Sequence, residues 1–102
     1  MSKIDIALAI FWYKKAMALS KLWYLYVLQC SDGTYYTGVT TDMKRRLNEH
    51  NTSKRGAKYT KTRRPVKVVY LSGYNDRSSA QKAEYEFKQL TRKQKESIIN
   101  ER

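Results

Sequence analysis

The stretch that most limits the fold runs from Leu22 to Val39, LWYLYVLQCSDGTYYTGV. Residues Leu22–Gln29 are almost wholly apolar and rich in aromatic and branched side chains, the pattern of a strand buried on both faces. Ser31-Asp32-Gly33 supplies turn chemistry, with Gly33 free to take a positive φ, and Thr34–Val39 returns as a second strand. A hairpin makes the sheet at least partly antiparallel. Side chains alternate along a strand, so Tyr24, Tyr26 and Leu28 share one face of the first strand. Tyr36 and Gly38 share one face of the second, which lets Tyr26 and Tyr36 stand near each other across the hairpin. Tyr24 and Tyr35 read as packing.

The rest of the chain follows the same grammar. Thr40-Thr41-Asp42 offers N-cap oxygens and predicts a helix to about Asn51. Residues 52–65, TSKRGAKYTKTRRP, read as a basic loop, and Val66–Leu71 as a third strand followed by a loop around Gly73, Asn75 and Asp76. Ser78 with Gln81 forms a capping-box signature for a helix running to Leu90, and Thr91 with Gln94 repeats it for a final helix. The expectation is an α+β domain over residues 21–102: a three-stranded mixed or antiparallel sheet with helices packed on it.

Residues 1–20 are predicted to be a helical extension. Its apolar run, IDIALAIFWY, has about half the length needed to span a bilayer and carries Asp5, which excludes a transmembrane helix. The plain reading is a short amphipathic helix packed on the domain. The sharper one is a contact for a membrane surface, a protein partner or a second copy.

Charge sets the partner class. The chain has 21 Lys+Arg against 9 Asp+Glu, a net charge of +12, which favours a polyanion: nucleic acid first, an anionic membrane surface second. The single cysteine, Cys30, excludes an internal disulfide framework and a multi-cysteine zinc site, and fits a reducing, cytoplasmic setting.

Function is sought where polar residues fall on apolar faces. With each helical position advancing about 100°, Met43 and Leu47 define the buried stripe of the first core helix. Arg46 and His50 fall beside that stripe, within roughly 60° of Met43. Lys44, Arg45, Asn48 and Glu49 point away. In the next helix Ala80, Ala83 and Phe87 define the stripe, and Glu84 lies about 40° from Ala80. A carboxylate on a core-facing stripe is costly unless it is paired or bound to a cation. Glu84 is therefore either the partner of Arg46 in a structural ion pair or a metal ligand lining a cleft. Gly38, taken alone, reads as a bulge or close-packing point. Lys54, Arg55, Lys58, Lys61, Arg63 and Arg64 make the basic loop either a backbone-binding arm, with Tyr59 placed to stack on an unpaired base, or a solvated basic surface.

Tyr24-Leu25-Tyr26, nine residues, then Tyr36-Thr37-Gly38 resembles the signature of the GIY-YIG nuclease superfamily. GAKYTKTRRPVKVVY and the late AEYEFKQLTRKQK are similar to its small, single-domain bacterial members, so the resemblance covers about Lys21 to Ile99. Tyr24 stands where the first motif has its leading glycine, Thr37 replaces the isoleucine of the second, and Val39 replaces a lysine found in the repair enzymes. The resemblance implies catalytic roles for Tyr26, Tyr36, Arg46, His50 and Glu84, with Gly38 as the motif glycine and Glu84 as the metal ligand. It implies one Mg²⁺ or Mn²⁺ ion and a metal-dependent endonuclease acting on DNA, RNA not excluded, structure-selective and serving repair or recombination. Within that expectation His50 either orients a phenol or relays a proton. The competing expectation is a nucleic-acid-binding module of the same fold with little catalysis.

Overall fold

A computed structural model describes residues 22–101, so the expected helix of residues 1–20 lies outside the described part. The elements are β1 (Trp23–Gln29), β2 (Tyr35–Thr40), α1 (Met43–Thr52), α2 (Lys58–Lys61), β3 (Lys67–Tyr74), α3 (Arg77–Lys88) and α4 (Arg92–Asn100). The sheet order is β2-β1-β3 and both pairings are antiparallel, which removes the mixed alternative. No helix among the described residues is long and apolar enough to cross a membrane.

The apolar run behaves as its composition demands. β1 is the central strand, and Leu25 through Leu28 are buried on both of its faces. The turn forms with Gly33 at φ 84°, and Asp32 Oδ1 accepts from the backbone and the hydroxyl of Thr34 at 3.1 and 2.6 Å. Register pairs Tyr26 with Gly38 and Leu28 with Tyr36. Between β1 and β3 it shifts at Val27/Leu28, where Val69 is the extra residue of a bulge.

The sheet separates two layers. On the Tyr26 face, Leu28, Cys30 and Val66 are packed by Met43 and Leu47 of α1. On the Val27 face, Leu25 and Phe87 are packed by Tyr70, Ala83, Leu90 and Ile98, which brings α3 and α4 onto that side.

Three expectations need correction. The strand expected to stop at Leu71 runs to Tyr74, with Gly73 inside it opposite Tyr24, so the turn begins only at Asn75. The cap of α3 is Asp76, whose carboxylate accepts from Ser79 N–H at 2.7 Å; the cap falls two residues before the expected one, so Ser78 lies inside the helix, which ends at Lys88 rather than Leu90. The basic loop contains the four-residue helix α2, too short to show apolar periodicity. The Asp42 cap of α1 and the Thr91/Gln94 capping box of α4 form as expected.

Candidate active site

The site is built on the Tyr26 face. β1 brings in Tyr26, β2 brings in Tyr36, and α1 lies across them. The Tyr26 and Tyr36 rings are 6.4 Å apart, and the His50 ring sits 5.7 Å from the first and 5.3 Å from the second. The Tyr26 hydroxyl and His50 Nε2 are at hydrogen-bond distance, 2.7 Å. Tyr26 can lie this way because position 38 is glycine. A Cβ there would come within 2.5 Å of the Tyr26 hydroxyl oxygen and 2.7 Å of its Cζ, so Gly38 is a close-packing point and the ring crosses its backbone.

Burial sets the electrostatics. Tyr26 is 1% exposed, and burial pushes its phenol up to about 12. A hydrogen bond and the positive charge of Arg46 pull against that rise, while Tyr36 and Glu84 add to it. His50 is fully buried, and burial drives it down to about 4, helped by the charge of Arg46. It is therefore neutral at pH 7, with one donor and one acceptor nitrogen.

Arg46 faces this group as helix phase predicts, and Arg45 is exposed. Arg46 Nη1 donates to Glu49 Oε1 at 3.0 Å and to the Arg55 carbonyl at 2.8 Å. Burial alone would lower the guanidinium; its bonds to Tyr26 and Glu49 more than offset this and raise it. The expectation that Glu49 points away is corrected by this pair. An i,i+3 neighbour swings back over the turn, which a simple wheel does not show.

Glu84 lies on α3, half-buried, with Lys88 Nζ at 3.5 Å. The ion-pair alternative with Arg46 does not form, since Arg46 is held by Glu49 instead. Glu84 adds the smallest of the upward pushes on the Tyr26 phenol through its charge.

The basic loop divides. Lys54, Arg55, Lys58 and Lys61 are exposed. Arg64 is turned inward: Nε donates to the His50 carbonyl at 2.6 Å and Nη2 to the Ser53 carbonyl at 2.7 Å, so it caps the C-terminal end of α1. Arg63 pairs with Asp32 at 3.1 Å and lies over Tyr59, its Cζ 3.8 Å from the ring centre. Tyr59 also stacks against Tyr36, with centroids 6.0 Å apart. Its ring contacts Tyr36 and Arg63 and remains 39% exposed.

Several contributors were missed. Thr60, fully buried in α2, lies 2.9 Å from His50 Nδ1; its only sequence signal was a threonine inside a basic run. Asn51 clamps the loop's exit, donating to the Val66 carbonyl and accepting from its N–H at 3.0 and 2.8 Å. Beside Tyr36, Lys88 and Lys95 join Tyr35, Thr37 and Tyr59 around an open cleft of about 240 Å³. A larger groove of about 560 Å³ runs along the outer flank of α1, by Lys44, Arg45 and Asn48, and touches none of the phenol cluster.

The family model for the GIY-YIG catalytic domain matches residues 22–97. A UPF0213 protein of Streptococcus agalactiae is 58% identical over 78 residues, covering 76% of this chain and 88% of the relative. A UPF0213 protein of Halobacterium salinarum is 51% identical over 76 residues, covering 74% and 97%. The solution structure of an E. faecalis protein is similar at a TM-score of 0.56 and 51% identity, covering 78% of this chain and 84% of that one. The UPF0213 protein of Bacillus halodurans gives a TM-score of 0.51 at 42% identity, covering 78% and 83%.

Proposed function

The chain belongs to the GIY-YIG family, a nuclease family, and from that premise we propose that it is a divalent-metal-dependent endonuclease hydrolysing phosphodiester bonds in DNA. The observation that carries the proposal is the convergence of Tyr26, Tyr36, His50 and Arg46, drawn from β1, β2 and α1, beside a half-buried carboxylate. Packing alone gives no reason to gather two phenols, a neutral imidazole and a guanidinium at one place.

The donor set fits one Mg²⁺ or Mn²⁺ ion. The described residues contain no group of three or more His, Cys, Asp and Glu side chains that could hold a metal ion together. Glu84 offers hard oxygens and is held only by an i,i+4 lysine at 3.5 Å. A single carboxylate with water and phosphate oxygens is the usual environment of these cations. When bound, the ion supplies Lewis acidity toward the phosphate and the departing oxygen.

The chain's own groups do the rest. Arg46 spends Nη1 on Glu49 and the Arg55 carbonyl, which holds the remaining guanidinium N–H groups in place for phosphate oxygens. Water's proton goes to a tyrosine in its phenolate form, its own proton having passed to solvent, and nearby cations favour that form. Tyr36 is the accessible one, half-buried and lining the cleft, whereas Tyr26 is 1% exposed. Lys88 and Lys95 at the cleft, with Lys54, Arg55, Lys58 and Lys61 on the loop, track the backbone. Such contacts carry no base information, which supports selection by nucleic-acid structure, as in repair or recombination, and RNA presents the same phosphates. A binding module of the same fold is the second reading, favoured by the burial of Tyr26 and the prior engagement of Arg46.

The test is cleavage of labelled duplex, single-stranded and branched DNA with Mg²⁺, Mn²⁺ or EDTA. Cutting by wild type, lost in EDTA and reduced about 10²–10³-fold in Glu84→Ala and Arg46→Ala, is expected. Tyr36→Phe is expected to lose more than Tyr26→Phe. Shifted but uncut DNA under all conditions would establish the binding module instead.

A further inference from the structure

The role of His50 is decided by what lies behind it, on the side away from Tyr26. Its Nδ1 faces two groups of the α2 segment: the Ala57 backbone N–H at 3.3 Å and the Thr60 hydroxyl at 2.9 Å. A backbone N–H can only donate. The acceptor the described residues give the Ala57 N–H is His50 Nδ1. The Ala57 carbonyl, by contrast, already accepts from the backbone N–H groups of Thr60 and Lys61 at 3.1 and 3.2 Å. The Thr60 hydroxyl also lies 2.9 Å from that carbonyl, so its proton can go either way without leaving the carbonyl unpaired. A proton on Nδ1 would set two N–H groups against each other in a fully buried place and strand the Ala57 N–H. An unprotonated Nδ1 satisfies both donors.

We propose that Thr60 and the Ala57 N–H are positioning groups that fix His50 as the Nε2–H tautomer, so that His50 donates to the Tyr26 oxygen and does not take its proton. The inference rests on the nuclease reading only for its consequence, not for the tautomer itself. A ring nitrogen's protonation is set by the bond the other nitrogen makes, and here that bond comes from the loop. The neutral state of the buried imidazole at pH 7 makes the question one of tautomer and not of charge. With its oxygen accepting from His50, Tyr26 keeps its own proton, and at 1% exposure it is not the phenol that meets the reacting water. His50 thus orients Tyr26 and is no relay.

His50 is the only histidine of the chain, so its ring nitrogens can be read without assignment ambiguity. The experiment is a long-range ¹H–¹⁵N correlation spectrum at pH 7 of the tag-free, ¹⁵N-labelled protein, with Thr60→Ser and Thr60→Val alongside. The expected wild-type spectrum has a pyridine-type Nδ1 and a pyrrole-type Nε2. Thr60→Ser keeps it, whereas Thr60→Val moves both nitrogens toward averaged positions and lowers cleavage roughly tenfold. A pyrrole-type Nδ1 in wild type overturns the proposal and restores the relay. A Thr60→Val spectrum identical to wild type removes Thr60 from the positioning pair. If Thr60→Val does not fold, the wild-type spectrum still decides the tautomer. A wild-type protein with the expected tautomer that cuts no DNA sinks the nuclease reading and leaves this one standing.

Discussion

The two faces of the sheet do different work with the same strand. The Val27 face is filled with Leu25, Val27 and Phe87 and closed by α3 and α4. The Tyr26 face buries a histidine and a threonine, both fully, under a phenol at 1% exposure. A fold of this size gains its stability from apolar burial, and each buried polar group needs a partner to avoid a cost. The Tyr26 face meets that demand, since no buried polar side-chain atom among the described residues is left unpaired. Both faces carry apolar packing, and the Tyr26 face adds a chemical arrangement held in place.

The largest effect should come from the apolar face. Phe87 is buried against Tyr70, with ring centroids 6.1 Å apart. Phe87→Ala is expected to cost about 3–5 kcal/mol, a drop of roughly 15–30 °C in melting temperature. Cleavage per folded molecule, measured well below the transition, should stay near wild type. A variant that keeps its melting temperature but loses cleavage would erase the division between the faces.

The opposite signature belongs to the Tyr26 face and is read by pH. His50 titrates at about 4 in the folded protein against an ordinary value of 6.5. Its folded value is depressed, so the unfolded chain binds the proton more readily between those values. The contribution is fully present above pH 6.5 and is lost as pH falls toward 4, by roughly 3 kcal/mol at most. Asp32, Glu49 and Asp76 are all held below the ordinary carboxylate range, so their losses come at lower pH. Urea unfolding between pH 7 and 5 isolates the histidine, and His50→Gln should flatten the slope. An unchanged slope would mean that His50 is not buried as a neutral ring.

Gly38 joins backbone to site. Gly38→Ala puts a methyl within 2.5 Å of the Tyr26 hydroxyl oxygen, so the ring must move off its bond to His50. A loss of about 1–3 kcal/mol in stability is expected, together with a loss of cleavage beyond what unfolding explains. Stability lost alone would show that the ring's position does not matter to the chemistry.

How much of this was legible in the sequence differs by region for a physical reason. The hairpin, the partnership of Tyr26 with Tyr36 and the inward turn of Arg46 and His50 all follow from periodicities of two and of about 3.6 residues. Those periods act wherever a strand or helix runs for two turns or more. Thr60, Ala57 and Arg64 sit in a segment whose only helix has four residues, so no period marks which side chains turn inward. Glu49 was read outward because a wheel fixes the direction of Cβ, whereas a long side chain chooses its partner afterwards. The carboxylate of Glu84 was placed correctly on the α3 stripe, yet its partner, Lys88, is a surface neighbour and not the arginine across the site.

The smallest effects test that same segment, where composition alone would give every cation one role. Lys58 and Lys61 are exposed, whereas Arg64 donates to three carbonyls at the end of α1, those of Glu49, His50 and Ser53. Lys58→Ala and Lys61→Ala should each leave the melting temperature unchanged and reduce the slope of log binding constant against log salt by about one. Arg64→Ala should do the reverse. It removes a charge-assisted cap from carbonyls adjoining His50 and should cost roughly 1–2 kcal/mol, with the salt slope of DNA binding little altered. Salt titrations of a labelled duplex and urea melts separate the two outcomes. If Arg64→Ala shifts the salt slope as the lysines do, its inward bonds give way to phosphate on binding. The loop would then be one cationic surface rather than a structural clamp flanked by lysines.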